Sequence, residues 1–345
     1  MKVLMSSNEK KAKPNRLLRL CRELVCFYRA HALLYIALCL CALLAHGGLF
    51  FSGHFYNDEN YLLRFPGDPY NWLTIGRYSL VLFKRLFGTL LYNPSAEAAF
   101  FFLLLPLALL TWGFLLEKGS ALPHGAALFV SLLLILVFPA FTEQYYFRFQ
   151  AFPFACGMLC TALSLLCAFE GLADAAPYGR RGEAAAVLLF SVLFALLAFG
   201  VYQSFVNLYL TGLLGVFLLR RARGLQRALS ADDATVSGSP TNETEPSDSL
   251  TGDAEVSGSD DAAARGRFFP VPLISFAKHC ALFLFSFLLY MLLVRLFFSG
   301  SDYLTSQLPW GNVSVTDILR ALFSYFLHML LARSVFYPAT FILVC

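Results

Sequence analysis

Apolar stretches long enough to cross a lipid bilayer recur along this sequence, and no other feature limits its folding as tightly. A hydrocarbon core about 30 Å thick needs about 20 apolar residues in a helix rising ~1.5 Å per residue. Runs of that length occur near 31–51, 96–116, 121–141 and 151–169; the stretch 184–219 has room for two short spans, and 271–298 supplies another. Only 14% of the chain is charged and 58% is hydrophobic, with mean hydropathy +0.65, against roughly 25% charged for a soluble domain. Lipid is therefore the expected solvent. The expected fold is an all-α polytopic membrane protein with about 7–8 transmembrane helices and additional interfacial amphipathic helices.

Charge orients these runs. Lys2, Lys10, Lys11, Lys13, Arg16, Arg19, Arg22 and Arg29 crowd residues 1–30, a basic arm expected in the cytoplasm. The arm is too long for a signal peptide and no small-residue cleavage pattern follows His46, so the first span is read as uncleaved. Residues 31–219 then form a membrane domain of about six spans with outer loops at 52–95 and 142–150. Arg180 and Arg181, and Arg220, Arg221, Arg223 and Arg227, fall on inner boundaries of the same alternation. In the first outer loop, Lys84 and Arg85 interrupt an apolar pattern as in a helix lying on the membrane surface.

Residues 220–269 read as a cytoplasmic linker. Within it, Ser230 to Ala264 lacks Lys and Arg, repeats Val-Ser-Gly-Ser at 236–239 and 256–259, and is too polar to offset the entropy of ordering. The sequon at Asn242 is discounted because it faces inward. Residues 270–345 hold further membrane segments and are expected to be incomplete at the C-terminus.

Several function classes lose support here. The net charge of +4 is divided between basic clusters beside spans and an acidic linker, which gives no reason to expect nucleic acid. The cysteines lie in spans, in the basic arm or at the last position, so a disulfide framework is not expected. The histidines lack metal-ligand spacing, and no phosphate-binding or dinucleotide-binding glycine motif occurs.

The first outer loop carries the strongest candidate chemistry. Asp58 and Glu59 follow the first span, beside His54, Tyr56, Asn57 and Asn60. Such a loop can simply be solvated. Its functional reading is general-base catalysis: a carboxylate takes the proton of an acceptor hydroxyl as that oxygen attacks a sugar anomeric carbon. A phosphate leaving group departs as an anion and needs cations rather than a second acid. Arg64, Arg77, Lys84, Arg85 and Arg148 lie on the expected outer face, where a guanidinium or ammonium could hold a phosphate. Interfacial snorkelling explains Lys84 and Arg85 equally well, and anchoring explains Arg148. Trp72, Tyr146, Tyr56, Tyr61 and Trp310 could stack on sugars, although aromatics gather at membrane interfaces for physical reasons alone. Gln203, between two apolar runs, either caps hairpin backbone or reaches a ligand.

Four segments resemble a known family: Asn57-Asp58-Glu59 after the first span, Trp72 to Gly76-Arg77-Tyr78 before the amphipathic stretch, Tyr146-Phe147-Arg148-Phe149-Gln150, and Tyr202-Gln203 in a hairpin. Together, over about 31–219, they resemble the bacterial O-antigen glucosyltransferases of Gtr type II. The resemblance implies a GT-C-like membrane glycosyltransferase that moves a sugar, glucose in this family, from a polyprenyl-phosphate carrier to a cell-surface polysaccharide such as O-antigen. It implies Asp58 as the catalytic carboxylate with Glu59 beside it, and Arg77, Lys84 and Arg148 as phosphate contacts. In that family an acidic residue often stands where this chain has Gln150. The implied location is the bacterial inner membrane, with the active face periplasmic.

No cofactor follows from the residues, and help from a divalent metal at the phosphate stays open. A flippase or transporter of lipid-linked sugar is the main alternative, but coupled transporters usually carry ionisable groups near the midplane, and the charges here cluster at span ends and in loops. A non-catalytic membrane assembly subunit is the other.

Overall fold

A computed structural model describes residues 15–51, 70–91, 93–119, 126–145, 147–173, 181–237 and 273–298, with positions 314, 316, 317, 320 and 324 beyond them. Among the described residues there is no strand. In chain order the helices are α1 (Arg16–Ala30), α2 (Ala32–Phe51), α3 (Tyr70–Thr74), α4 (Tyr78–Leu86), α5 (Pro94–Gly119), α6 (Ala126–Leu136), α7 (Pro139–Tyr145), α8 (Arg148–Gly171), α9 (Arg181–Phe199), α10 (Phe205–Ser237) and α11 (Leu273–Phe297). Five of them, α5, α8, α9, α10 and α11, are long and apolar enough to cross a bilayer, or six if α1 and α2, bent by 69°, count as one span. The chain is an all-α polytopic membrane protein.

The hydropathy pattern predicts seven to eight crossings, and two runs account for the difference. The run at 121–141 is broken: α6 has 11 residues, about 16 Å of helix, and the chain leaves the helix before α7. Phe138 precedes Pro139, and the proline ring disfavours helical geometry at the residue before it. The run after residue 299 lies almost wholly outside the described residues. A second difference concerns the linker, because α10 continues to Ser237 through residues 220–237, which the composition assigns to it. The alanines, leucines and arginines of 220–229 are strong helix formers and carry α10 past the basic boundary.

α8 is the axis of the bundle. Of its most apolar window 89% is buried inside the protein, against 61% for α5, 33% for α9, 28% for α10 and 11% for α11. A helix enclosed on every side needs small residues where neighbours cross, and α8 supplies them. A Cβ on Gly157 would lie 2.4 Å from the Phe205 ring, so α10 approaches to a distance only glycine permits. Polar groups facing the axis are paired across helices: Ser164 Oγ donates to the Ser191 carbonyl (2.7 Å), Ser191 Oγ to the Ser164 carbonyl (2.8 Å), and Trp112 Nε1 to the Met158 carbonyl (3.1 Å).

The bundle has two chemically different ends. α1 lies across one of them, burying Leu20 and Phe27, with Asn15 capping its first turn by accepting from the Leu17 amide. Arg19 pairs with Glu170 at the close of α8, Lys118 with Glu23 (2.6 Å), and Arg16 Nη1 donates to the Glu170 carbonyl (3.2 Å). At the other end, where α8 begins, Arg148 donates to the Phe50 carbonyl (3.4 Å) and the Gly200 carbonyl meets α4. The least buried of the described spans, α11, reaches this second end through Tyr290 and Val294, which lie against Gly76, and Phe298, just past its end, stacks its ring on Tyr78 at 5.5 Å.

Candidate functional site

The site is built on a turn. After α3, the Gly76 amide donates to the Leu73 carbonyl (2.9 Å) and the Arg77 amide to the Trp72 carbonyl (2.8 Å). Gly76 closes this turn at φ 78°, in the left-handed region that glycine enters without Cβ strain. The reversal presents Arg77 and starts α4, whose first amides have no partner within their own helix. The chain supplies one from elsewhere: the Gly200 carbonyl, in the turn between α9 and α10, accepts from the Ser79 amide (2.9 Å) and more weakly from Leu80 (3.4 Å). A Cβ at position 200 would lie 2.5 Å from Ser79 Oγ and 2.6 Å from the Tyr78 ring, so this docking requires glycine.

Side chains lock the same junction. Gln203 Nε2 donates to the Ile75 carbonyl (2.7 Å) and the Tyr78 hydroxyl to the Leu196 carbonyl (2.8 Å). Burial pushes the Tyr78 phenol above its ordinary range, keeping it a neutral donor. Arg77 joins three elements: its Cζ lies 4.2 Å from the centroid of the Tyr202 ring, and its Nη1 donates to Gln150 Oε1 (2.9 Å) on the first turn of α8. The segments Gly76-Arg77-Tyr78, Arg148-Phe149-Gln150 and Tyr202-Gln203, far apart in sequence, therefore form one cluster.

A second layer lies beneath it. Trp72, 7% exposed, packs with Leu80, Val81 and Phe149, so its ring is committed to the protein interior. Lys84 does not snorkel: it and Glu97 are both fully buried and form an ion pair, with the Lys84 ammonium 5.6–5.7 Å from the Trp72, Phe149 and Phe152 ring centroids. Burial lowers the Lys84 pKa against the opposing pull of Glu97. Arg148, 4% exposed, opens α8.

Of the residues expected to act, the structure brings Arg77, Gln203, Arg148, Trp72 and Lys84 to this end of the bundle; Arg77 meets the hairpin at the Tyr202 ring, and Gln203, on the hairpin, reaches back to the Ile75 carbonyl. Asp58, Glu59 and Tyr146 lie outside the described residues. Sequence reasoning missed Glu97, although its isolation at the head of an apolar span is the usual mark of a partnered ionisable group. It also missed Gly200, for which no local signal exists. Among the described residues no three His, Cys, Asp or Glu side chains are grouped to hold a metal ion.

Comparison with known proteins adds one finding. The family model described as glucosyl transferase GtrII matches residues 47–230, just over half the chain. No curated protein and no solved structure matches it. The matched region opens in the last turns of α2 and closes within α10, so it holds the segment with Asp58 and Glu59 and every element of the cluster. The chain belongs to the GtrII glucosyl transferase family.

Proposed function

We propose that this protein transfers glucose from a polyprenyl-phosphate carrier to an O-antigen polysaccharide on the periplasmic face of the bacterial inner membrane, using a GT-C-like membrane architecture. The observation that carries this reading is the meeting of Arg77, Gln150 and Tyr202 at one end of α8, beside the end of α2 from which the segment bearing Asp58 departs.

In this mechanism Asp58 accepts the proton of the acceptor hydroxyl, the freed oxygen bonds to the glucose anomeric carbon, and the bond from that carbon to the phosphate oxygen breaks. Polyprenyl phosphate leaves as an anion that takes up no proton. Arg77 and Arg148 hold its charge, and fixed cations in a site shielded from water lower the barrier more than mobile ones. Glu59 stands beside the base. Lys84, paired with Glu97, holds α4 against α5 instead of meeting the phosphate. The orientation is supported by the basic residues Arg16, Arg19, Lys118 and Arg220 gathered at the α1 end, since such residues favour the cytoplasm. Within the apolar spans 94–118, 148–171, 182–199, 205–222 and 274–297, every Asp, Glu, Lys and Arg lies within two turns of an end, which favours a transferase over a coupled transporter.

The test is glucose transfer from radiolabelled polyprenyl-phosphate-glucose to lipopolysaccharide in membranes containing the protein or its Asp58→Asn variant. Transfer by the wild type alone is expected. Equal transfer by the variant removes Asp58 from the mechanism, and absence of transfer by the wild type removes the donor.

A further inference from the structure

The end of the bundle opposite the Arg77 cluster contains a cavity of about 410 Å³ that the transfer reaction does not use. Gln150 and Glu170 stand 20 residues apart on α8, roughly 30 Å of helix and about the thickness of a hydrocarbon core. The two sites therefore lie at opposite membrane interfaces. The cavity is lined by the apolar side chains of Leu115, Leu166 and Phe169 together with Lys118, Arg220 and His279.

Its charges are unevenly used. Glu170 also lines the cavity, but it is held by Arg19 and lies 3.9 Å from Lys118. Arg220 has no carboxylate partner among the described residues, and its guanidinium lies over the Phe169 ring at 4.3 Å, which fixes the plane of its donors. His279 is 2% exposed; its Nδ1 bonds the Ser275 carbonyl (2.7 Å), and its Nε2 has no hydrogen-bond partner among the described residues. A buried polar atom left unpartnered costs free energy that a ligand can recover. With Nδ1 donating to Ser275, a neutral ring offers Nε2 as an acceptor for a ligand hydroxyl, and a protonated ring offers it as a donor to an anion.

A fixed guanidinium, an unmet imidazole nitrogen and an ammonium shared with Glu23 (2.6 Å), set among apolar side chains, match one ligand chemistry: a phosphate ester that carries hydroxyl groups and an acyl tail. We infer that this cavity binds the headgroup of an anionic phospholipid such as phosphatidylglycerol, with the phosphate chiefly on Arg220, Lys118 adding charge beside it, and the acyl chains leaving past Leu115 and Leu166. A lipid is favoured over a soluble ester because the cavity sits at helix ends, at the level of the interface, and because α1, tied to its rim by Arg16 and Arg19, is an amphipathic basic helix of the kind that lies on anionic membranes. That the leaflet is the cytoplasmic one rests on the orientation proposed above; the site itself does not.

Native mass spectrometry of the full chain in neutral detergent, titrated with phosphatidylglycerol, tests the assignment independently of glucose transfer. Loss of one charge-assisted contact predicts affinity about tenfold weaker in Arg220→Gln. Arg220→Lys, which keeps the cation but loses the stacked donor plane, should bind more weakly than the wild type and more tightly than Arg220→Gln, and Arg295→Gln, at the far end of α11, should bind as the wild type does. Each variant is compared as a monodisperse species on gel filtration. Equal affinity in the wild type and Arg220→Gln overturns the site. Displacement of the lipid by glycerol 3-phosphate at the same concentration, with the same dependence on Arg220, overturns the lipid as the source of the phosphate.

Discussion

Lys84 on α4 and Glu97 on α5 form an ion pair wholly shielded from solvent, with both side chains at 0% exposure. Coulomb attraction in such a place is offset by the cost of removing two charges from water, so the pair adds little net stability while the loss of either member is severe. Lys84→Met or Glu97→Gln alone should destabilise the protein by about 3–5 kcal/mol, and Lys84→Met with Glu97→Leu should recover most of that. Unfolding of detergent-solubilised protein in increasing dodecyl sulfate measures this. A double variant as unstable as the singles contradicts a pairing role.

The docking of α4 on the Gly200 carbonyl leaves no room for a methyl group. Gly200→Ala should cost about 1–3 kcal/mol through overpacking and should lower glucose transfer with it. Gly215→Ala on α10, where an added Cβ meets nothing within 4 Å, should gain up to about 1 kcal/mol from helix propensity. The same unfolding assay compares them, and equal effects at the two positions would show that the close contact at 200 is relieved at no cost.

Arg77 is expected to respond to geometry more than to charge. Lysine keeps the cation but loses the planar stacking on Tyr202 and the directed bond to Gln150. Arg77→Lys and Arg77→Gln should both reduce transfer, about tenfold for an interaction worth roughly 1.5 kcal/mol. Gln150→Glu makes the same bond charge-assisted and should be tolerated, whereas Gln150→Leu should resemble the arginine variants. Initial rates against donor concentration read the effect. Full activity in Gln150→Leu would detach this bond from function.

The serine pair predicts a small effect. Ser164→Ala removes the donor to the Ser191 carbonyl but leaves Ser191 Oγ bonded to the Ser164 carbonyl, which is backbone. Interhelical hydrogen bonds in membranes average about 0.6 kcal/mol, so unfolding should shift by no more than about 1 kcal/mol. A larger shift would mean that the exchange is cooperative.

The all-α polytopic class was legible in the sequence, because apolar length reports directly on a bilayer. The bend at His31, the helix over residues 16–30 of the basic arm and the break before Pro139 have local causes that a closer reading of polarity and proline could reach. The cluster was legible only as separate segments. Arg77 meets Gln150 and Tyr202 at separations of 73 and 125 residues, and hydropathy cannot say which face of α8 turns toward α4 when α8 is apolar all round. Lys84 misled for a related reason: its partner lies 13 residues away on another helix, outside any helical spacing that would have flagged it.

Among the described spans α11 has the least of its apolar window buried, 11%. Its 25 residues make about 37 Å of helix, longer than an average hydrocarbon core, and a helix in that position answers hydrophobic mismatch by tilting. Tilt of α11 moves Tyr290 and Val294, whose side chains lie 3.1–3.2 Å from where a Cβ on Gly76 would stand. Gly76 sets the turn that presents Arg77, and Phe298 stacks on the neighbouring Tyr78, so a tilt of α11 would act on the arginine from both sides.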